Sequence, residues 1–204
     1  MKKVSMRMGL LVVLSLAAAL LISACASAPK EEIDATRAAV TAAQTDDVRT
    51  YAPESLSAAE ATLTKAMAEV QTQDDKFALS RDYKAASELL KQAKDQAAKA
   101  DADAKANKAQ AKADAETLIA GLTPLLDEAK KALATAPKGK DTKAELEAMA
   151  NDLKSAEEAS TAATQAMAQE KYNDALGQAK TAKDKADVII QQVTAAKEKM
   201  KGRK

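Results

Sequence analysis

The chain has 204 residues, with 31 basic and 30 acidic side chains, one cysteine and no histidine. The near-neutral balance gives no general pull toward nucleic acid or acidic substrates. A lone cysteine forms no intrachain disulfide, and without imidazole there is no histidine general base, Ser-His-Asp arrangement or His-containing metal site.

A basic opening (Lys2, Lys3, Arg7) leads into an apolar run from Gly9 to Ile22, broken only by Ser15. This is the layout of a secretory signal peptide, and the run is shorter than the roughly 20 apolar residues a transmembrane helix needs. Ile22-Ser23-Ala24 before Cys25 resembles the lipobox of bacterial lipoproteins, where small residues admit the signal peptidase. The resemblance implies residues 1–24 as a cleaved leader, a covalent lipid on Cys25 as the membrane anchor, and residues 25–30 as a lipidated linker. Two or more acyl chains anchor stably where one binds only marginally. Ala26, where retained inner-membrane lipoproteins carry Asp, favours the outer membrane by the same analogy.

Roughly a quarter of the residues are Ala, and aromatics make up 2%. Ala is the best helix former but buries little area, so long helices joined by narrow seams are expected instead of a deep core. From Leu56, the small and apolar positions Leu56, Ala59, Leu63, Ala66 and Val70 alternate steps of three and four, a heptad seam. A second seam runs Tyr83, Ala86, Leu90, Ala93, Ala97, Ala100, Ala104. Both return about ninety residues later, as Leu146, Met149, Leu153, Ala156, Ser160 and as Tyr172, Ala175, Ala179, Ala182, Ala186, Ile189, Val193. Lys91, Lys94 and Asp95 recur as Lys180, Lys183 and Asp184, which reads as tandem duplication. The alternative is chance alignment of low-complexity helices.

The expected fold is all-α: elongated antiparallel helical hairpins or a coiled-coil-like bundle, with unit 1 over 31–116, unit 2 over 117–200 and a basic tail at 201–204. Large residues facing Ala let the paired helices approach closely. Between the helices of each pair, near 77–82 and 169–171, a turn is expected over a stutter in one helix. Extending the second seam places Asn107 and Asp114 on it, so tight pairing should lapse there. The stretch 101–116 is expected as an exposed linking helix. Gly121 and Pro124 should interrupt or kink it, with Thr123 capping a new start. Ala136-Pro137-Lys138-Gly139 reads as a loop, and Thr142 with Glu145 as a capping box.

Tyr51-Ala52-Pro53, Leu56-x-x-Ala59 and Asp82-Tyr83-x-x-Ala86-x-x-Leu89 resemble a family of alanine-rich bacterial envelope lipoproteins known only as a domain of unknown function. That resemblance implies a helical periplasmic module and no activity. The segments from Tyr83 and Tyr172 are also similar to the second helix of a tetratricopeptide repeat, though the usual period and the Trp and Gly of its first helix are missing.

Chemistry-bearing constellations are few. Asp101-x-Asp103 opens like a calcium loop, but its glycine and closing glutamate positions fall on Ala106 and Lys112. Asp46-Asp47 and Asp74-Asp75 are expected at solvated helix ends. No metal, cofactor beyond the lipid, or catalysis is therefore expected.

Phe77 and Leu79, an apolar pair at a hairpin tip, either contact a partner or close the end of the bundle. The Arg203-Lys204 ending resembles the murein lipoprotein terminus, which implies Lys204 as a peptidoglycan attachment point. The expected role is a lipid-anchored, periplasm-facing spacer or tether, with peptidoglycan or an envelope protein as partner. The alternative is an adapter presenting a hairpin to one envelope protein. Self-association through free heptad positions stays open.

Overall fold

The structure is a computed structural model that describes residues 27–139 and 142–201. The described residues form six α-helices and one short 3-10 turn, with no strand. The helices are α1 (Lys30–Ala43), α2 (Asp46–Tyr51), α3 (Pro53–Asp74), α4 (Lys84–Ala134), α5 (Lys143–Ala168) and α6 (Tyr172–Lys201), with the 3-10 turn at Ala78–Ser80. The chain is all-α, and its packing divides it into two units between Lys105 and Ala106, inside α4.

Unit 1 packs three long helices, with the six-residue α2 between the first two, where a two-helix hairpin was expected. Ile33 of α1, Ala66 and Val70 of α3, Tyr83 just before α4, and Ala86 and Leu90 of α4 form one buried cluster. The third helix follows from the sequence of α1, whose buried Ile33, Thr36, Val40 and Ala43 are spaced three, four and three apart. A bare hairpin would leave the apolar flank of that cluster wet, and α1 covers it. Local chemistry sets the helix starts. Thr45 accepts the Val48 N–H through its hydroxyl and caps α2. Pro53 opens α3 at a position where a missing N–H removes no helical bond.

Ile33, near the start of α1, lies with Val70 near the end of α3 and Tyr83 just before α4, so α1 runs antiparallel to α3. Ala28 packs on the same cluster. At the opposite end, the Ser55 hydroxyl donates to Asp103 at 2.5 Å and ties the start of α3 to α4.

Unit 2 is also built from three helices. Leu122, Leu126 and Ala129 of α4, Ala156, Ala159 and Ala163 of α5, and Ala179, Ala182, Ala186, Ile189 and Val193 of α6 form its core. Alanines on α5 and α6 keep the backbones close, while the α4 leucines and Ile189 supply most of the buried bulk. Ion pairs at the edge join Lys130 to Glu157 and Lys185 to Asp152, both at 2.7 Å.

All seven positions of the second seam are buried in each unit. The recurrence reaches the first helix as well: Ile33 and Val40 of α1 are matched 89 residues on by buried Leu122 and Ala129 of α4.

Two local expectations are corrected. Pro124 does not end the helix, because α4 runs through it. The proline N–H that would bond Ala120 is missing, but Leu122 and Leu126 are buried around it and packing holds the helix. Thr142 precedes α5 without a side-chain cap bond, because it has helical backbone angles. Its hydroxyl instead turns back on the loop and accepts the Gly139 N–H at 2.9 Å. Past Ala104 the polar seam positions Asn107 and Asp114 are exposed, as their polarity requires, while Ala111 and Ala115 are buried.

Both inter-helix connections are turns. In unit 2, Glu170 takes a left-handed conformation at φ 59°. The Lys171 N–H then bonds the Ala166 carbonyl at 3.0 Å and the Glu170 N–H bonds Met167 at 3.1 Å. This is the Schellman pattern, formed here without its usual glycine.

Candidate functional site

The α3–α4 turn of unit 1 is the most elaborately built feature of the described chain. α3 ends at Asp74, leaving carbonyls with no helical partner. Arg81 supplies donors: its Nη2 reaches the Asp74 carbonyl at 2.7 Å and its Nε reaches Lys76 at 3.0 Å. The side chain of Gln73, 6% exposed, accepts from the Asp82 N–H and from Lys76 Nζ, both at 3.0 Å. It also donates to Glu69 at 2.7 Å. Asp82 in turn accepts the Lys84 N–H at 3.0 Å and helps start α4.

Tyr83 joins the two helix ends. Its ring lies in the core cluster and its hydroxyl donates to the Asp74 carboxylate at 2.5 Å. That hydrogen bond, with burial and the charge of Asp74, raises the Tyr83 pKa above the ordinary tyrosine value.

Between these ties the chain bows outward. Phe77 is extended at φ −58°, ψ 137°, and the Ser80 N–H closes the 3-10 turn on its carbonyl at 2.8 Å. Phe77 is left 74% exposed and Leu79 66% exposed. They stand on the surface and do not close the end of the bundle. The hydrogen bonds that hold the turn come from Arg81, Gln73 and Tyr83, and none comes from the side chains of the apolar pair. Unit 2 has no equivalent, because α5 continues to Ala168 and only three residues separate it from α6.

The other sequence candidates fall elsewhere. Ile22, Ser23, Ala24, Cys25 and Lys204 lie outside the described residues. Asp103 sits on α4, where Lys99 and Ser55 hydrogen-bond its carboxylate and lower its pKa. Asp46 and Asp47 open α2, and Asp46 is fully exposed. Among the described residues, no group of three or more His, Cys, Asp or Glu is placed to hold a metal ion. None of the described helices is long and apolar enough to cross a membrane.

A groove of about 530 Å³ runs between α1 and α4, with Glu31, Glu32, Glu88, Lys91 and Lys94 on its rim and Leu90 at its floor. Its rim carries both signs of charge, which gives no selectivity for an ion of either sign.

The sequence reading missed the polar frame of the turn. Arg81 carried the signal, as a cation just beyond a helix C-terminus, where it can bond the last carbonyls.

Neither a curated protein nor a solved structure matches the chain. Residues 31–116, which run from α1 into α4, match a family described as a domain of unknown function (DUF4398).

Proposed function

We propose that this protein is a lipid-anchored helical spacer or tether of the bacterial cell envelope. The observation that carries this reading is the apolar run ending in Ile22-Ser23-Ala24-Cys25, followed within a few residues by the helix α1. An acylated Cys25 places the start of unit 1 at a membrane surface, and the helical units hold whatever they bind away from it. Ala26 favours the outer membrane by analogy, and a terminal Lys204 supplies an amine suited to peptidoglycan attachment.

Mass spectrometry of the mature protein is expected to find a diacylglyceryl group on Cys25, and Cys25→Ser to release the chain from membranes. An unmodified Cys25 in a membrane fraction refutes the reading. Lys204 is tested separately: its deletion abolishes recovery with detergent-boiled cell wall if it is the attachment point.

The second reading, an adapter for an envelope protein, draws on the exposure of Phe77 and Leu79. In-cell cross-linking that returns one recurrent protein partner favours it over the tether.

A further inference from the structure

We propose that Phe77 and Leu79 form a second membrane contact, inserting into the lipid interface beside the acyl anchor. The inference rests on the lipid-anchor reading above and adds an orientation of unit 1 on the bilayer.

Three observations lead there. First, the pair is exposed at a turn held by hydrogen bonds of Arg81, Gln73 and Tyr83. Second, that turn lies at the same end of unit 1 as the amino end of α1. Ala28 and Ile33 pack with Val70 and Tyr83.

Third, the length of chain before α1 is short. Cys25 precedes Ala28 by three residues, which reach no more than about 11 Å. A lipid on Cys25 therefore holds this end of the unit at the membrane. Phe77 and Leu79 then face the headgroup layer, where an amphipathic element buries its apolar side chains about 5–10 Å deep.

The charges at the turn identify the kind of surface. Lys76, Arg81 and Lys84 are offset by Asp74, Asp75 and Asp82, so the contact is apolar and does not require anionic lipid. The opposite end of the unit lies far off, since the 22 residues of α3 rise roughly 33 Å.

The chain contains no tryptophan, so a single one reports its own surroundings. Mature lipidated Phe77→Trp and Thr50→Trp proteins are reconstituted into phosphatidylcholine vesicles whose acyl chains are brominated near the headgroup. Thr50 lies in α2, exposed at the far end of unit 1. Blue-shifted emission and quenching roughly two-fold or more above that of Thr50→Trp are expected for Phe77→Trp, unaffected by salt.

If the vesicles carry the protein but Phe77→Trp stays unquenched, or both variants are quenched equally, the contact is overturned and the anchor stands. If Cys25 carries no lipid, both the contact and the anchor fall.

Discussion

Replacing Leu90 by Ala tests the packing of unit 1 most directly. Leu90 is fully buried, and its neighbours in the cluster include Ala66 and Ala86, equally buried and too short to fill a void. Losing three carbons forfeits about 2.4 kcal/mol of transfer free energy, at roughly 0.8 kcal/mol each. The cavity left behind brings the cost to about 3 kcal/mol, inside the range observed for buried Leu→Ala changes. For a cooperative unit of this size, that lowers the Tm by roughly 12–24 °C. Leu89 is adjacent in sequence but only half-buried, so Leu89→Ala should cost about 1 kcal/mol. The assay is urea and thermal unfolding of both variants, followed by far-UV circular dichroism. The reasoning is refuted if Leu89→Ala costs as much as Leu90→Ala, because the helix would then present a different face to the core.

Pro124→Ala restores an N–H inside the last third of α4 at an exposed position. It is expected to stabilise unit 2 by about 1–2 kcal/mol in urea titrations, after allowing for the freer unfolded chain. Glu170→Gly relieves a left-handed non-glycine residue and should add about 0.5–1 kcal/mol, while Glu170→Val should destabilise. Unchanged midpoints for both Glu170 variants would mean that the turn does not hold this conformation.

Tyr83 provides a pH test. Its folded pKa is raised, so the stability it contributes is complete below the unfolded tyrosine pKa, about 10. That contribution is lost as pH rises through the folded value. Asp74→Asn should bring the Tyr83 transition down toward the ordinary range, read as the absorbance titration difference between Tyr83→Phe and its parent in each background. An unmoved transition would show that the Asp74 hydrogen bond does not form in solution.

The second seam of each unit and the faces it buries follow from local sequence pattern. Alanine content and three-four spacing placed Tyr83 to Ala104 and Tyr172 to Val193 in seams, and every one of those positions is buried. Such periodicity is local, because it depends only on which residues share one side of a helix. Past Ala104 the spacing lands on Asn107 and Asp114, whose polarity keeps them exposed, and only packing decides that Ala115 is buried beside Ala111.

Tertiary structure decided what packs on each seam. The α1 stripe of Ile33, Thr36, Val40 and Ala43 has helical spacing, but nothing local assigns it as a third helix over α3 and α4. Pro124 stays helical because the buried leucines on either side outweigh its lost hydrogen bond, an energy that no local propensity contains. The exposure of Phe77 and Leu79 likewise depends on Arg81, Gln73 and Tyr83 satisfying the helix ends across the turn. Sequence supplied the apolar pair, and contacts between residues distant along the chain fixed which way it faces.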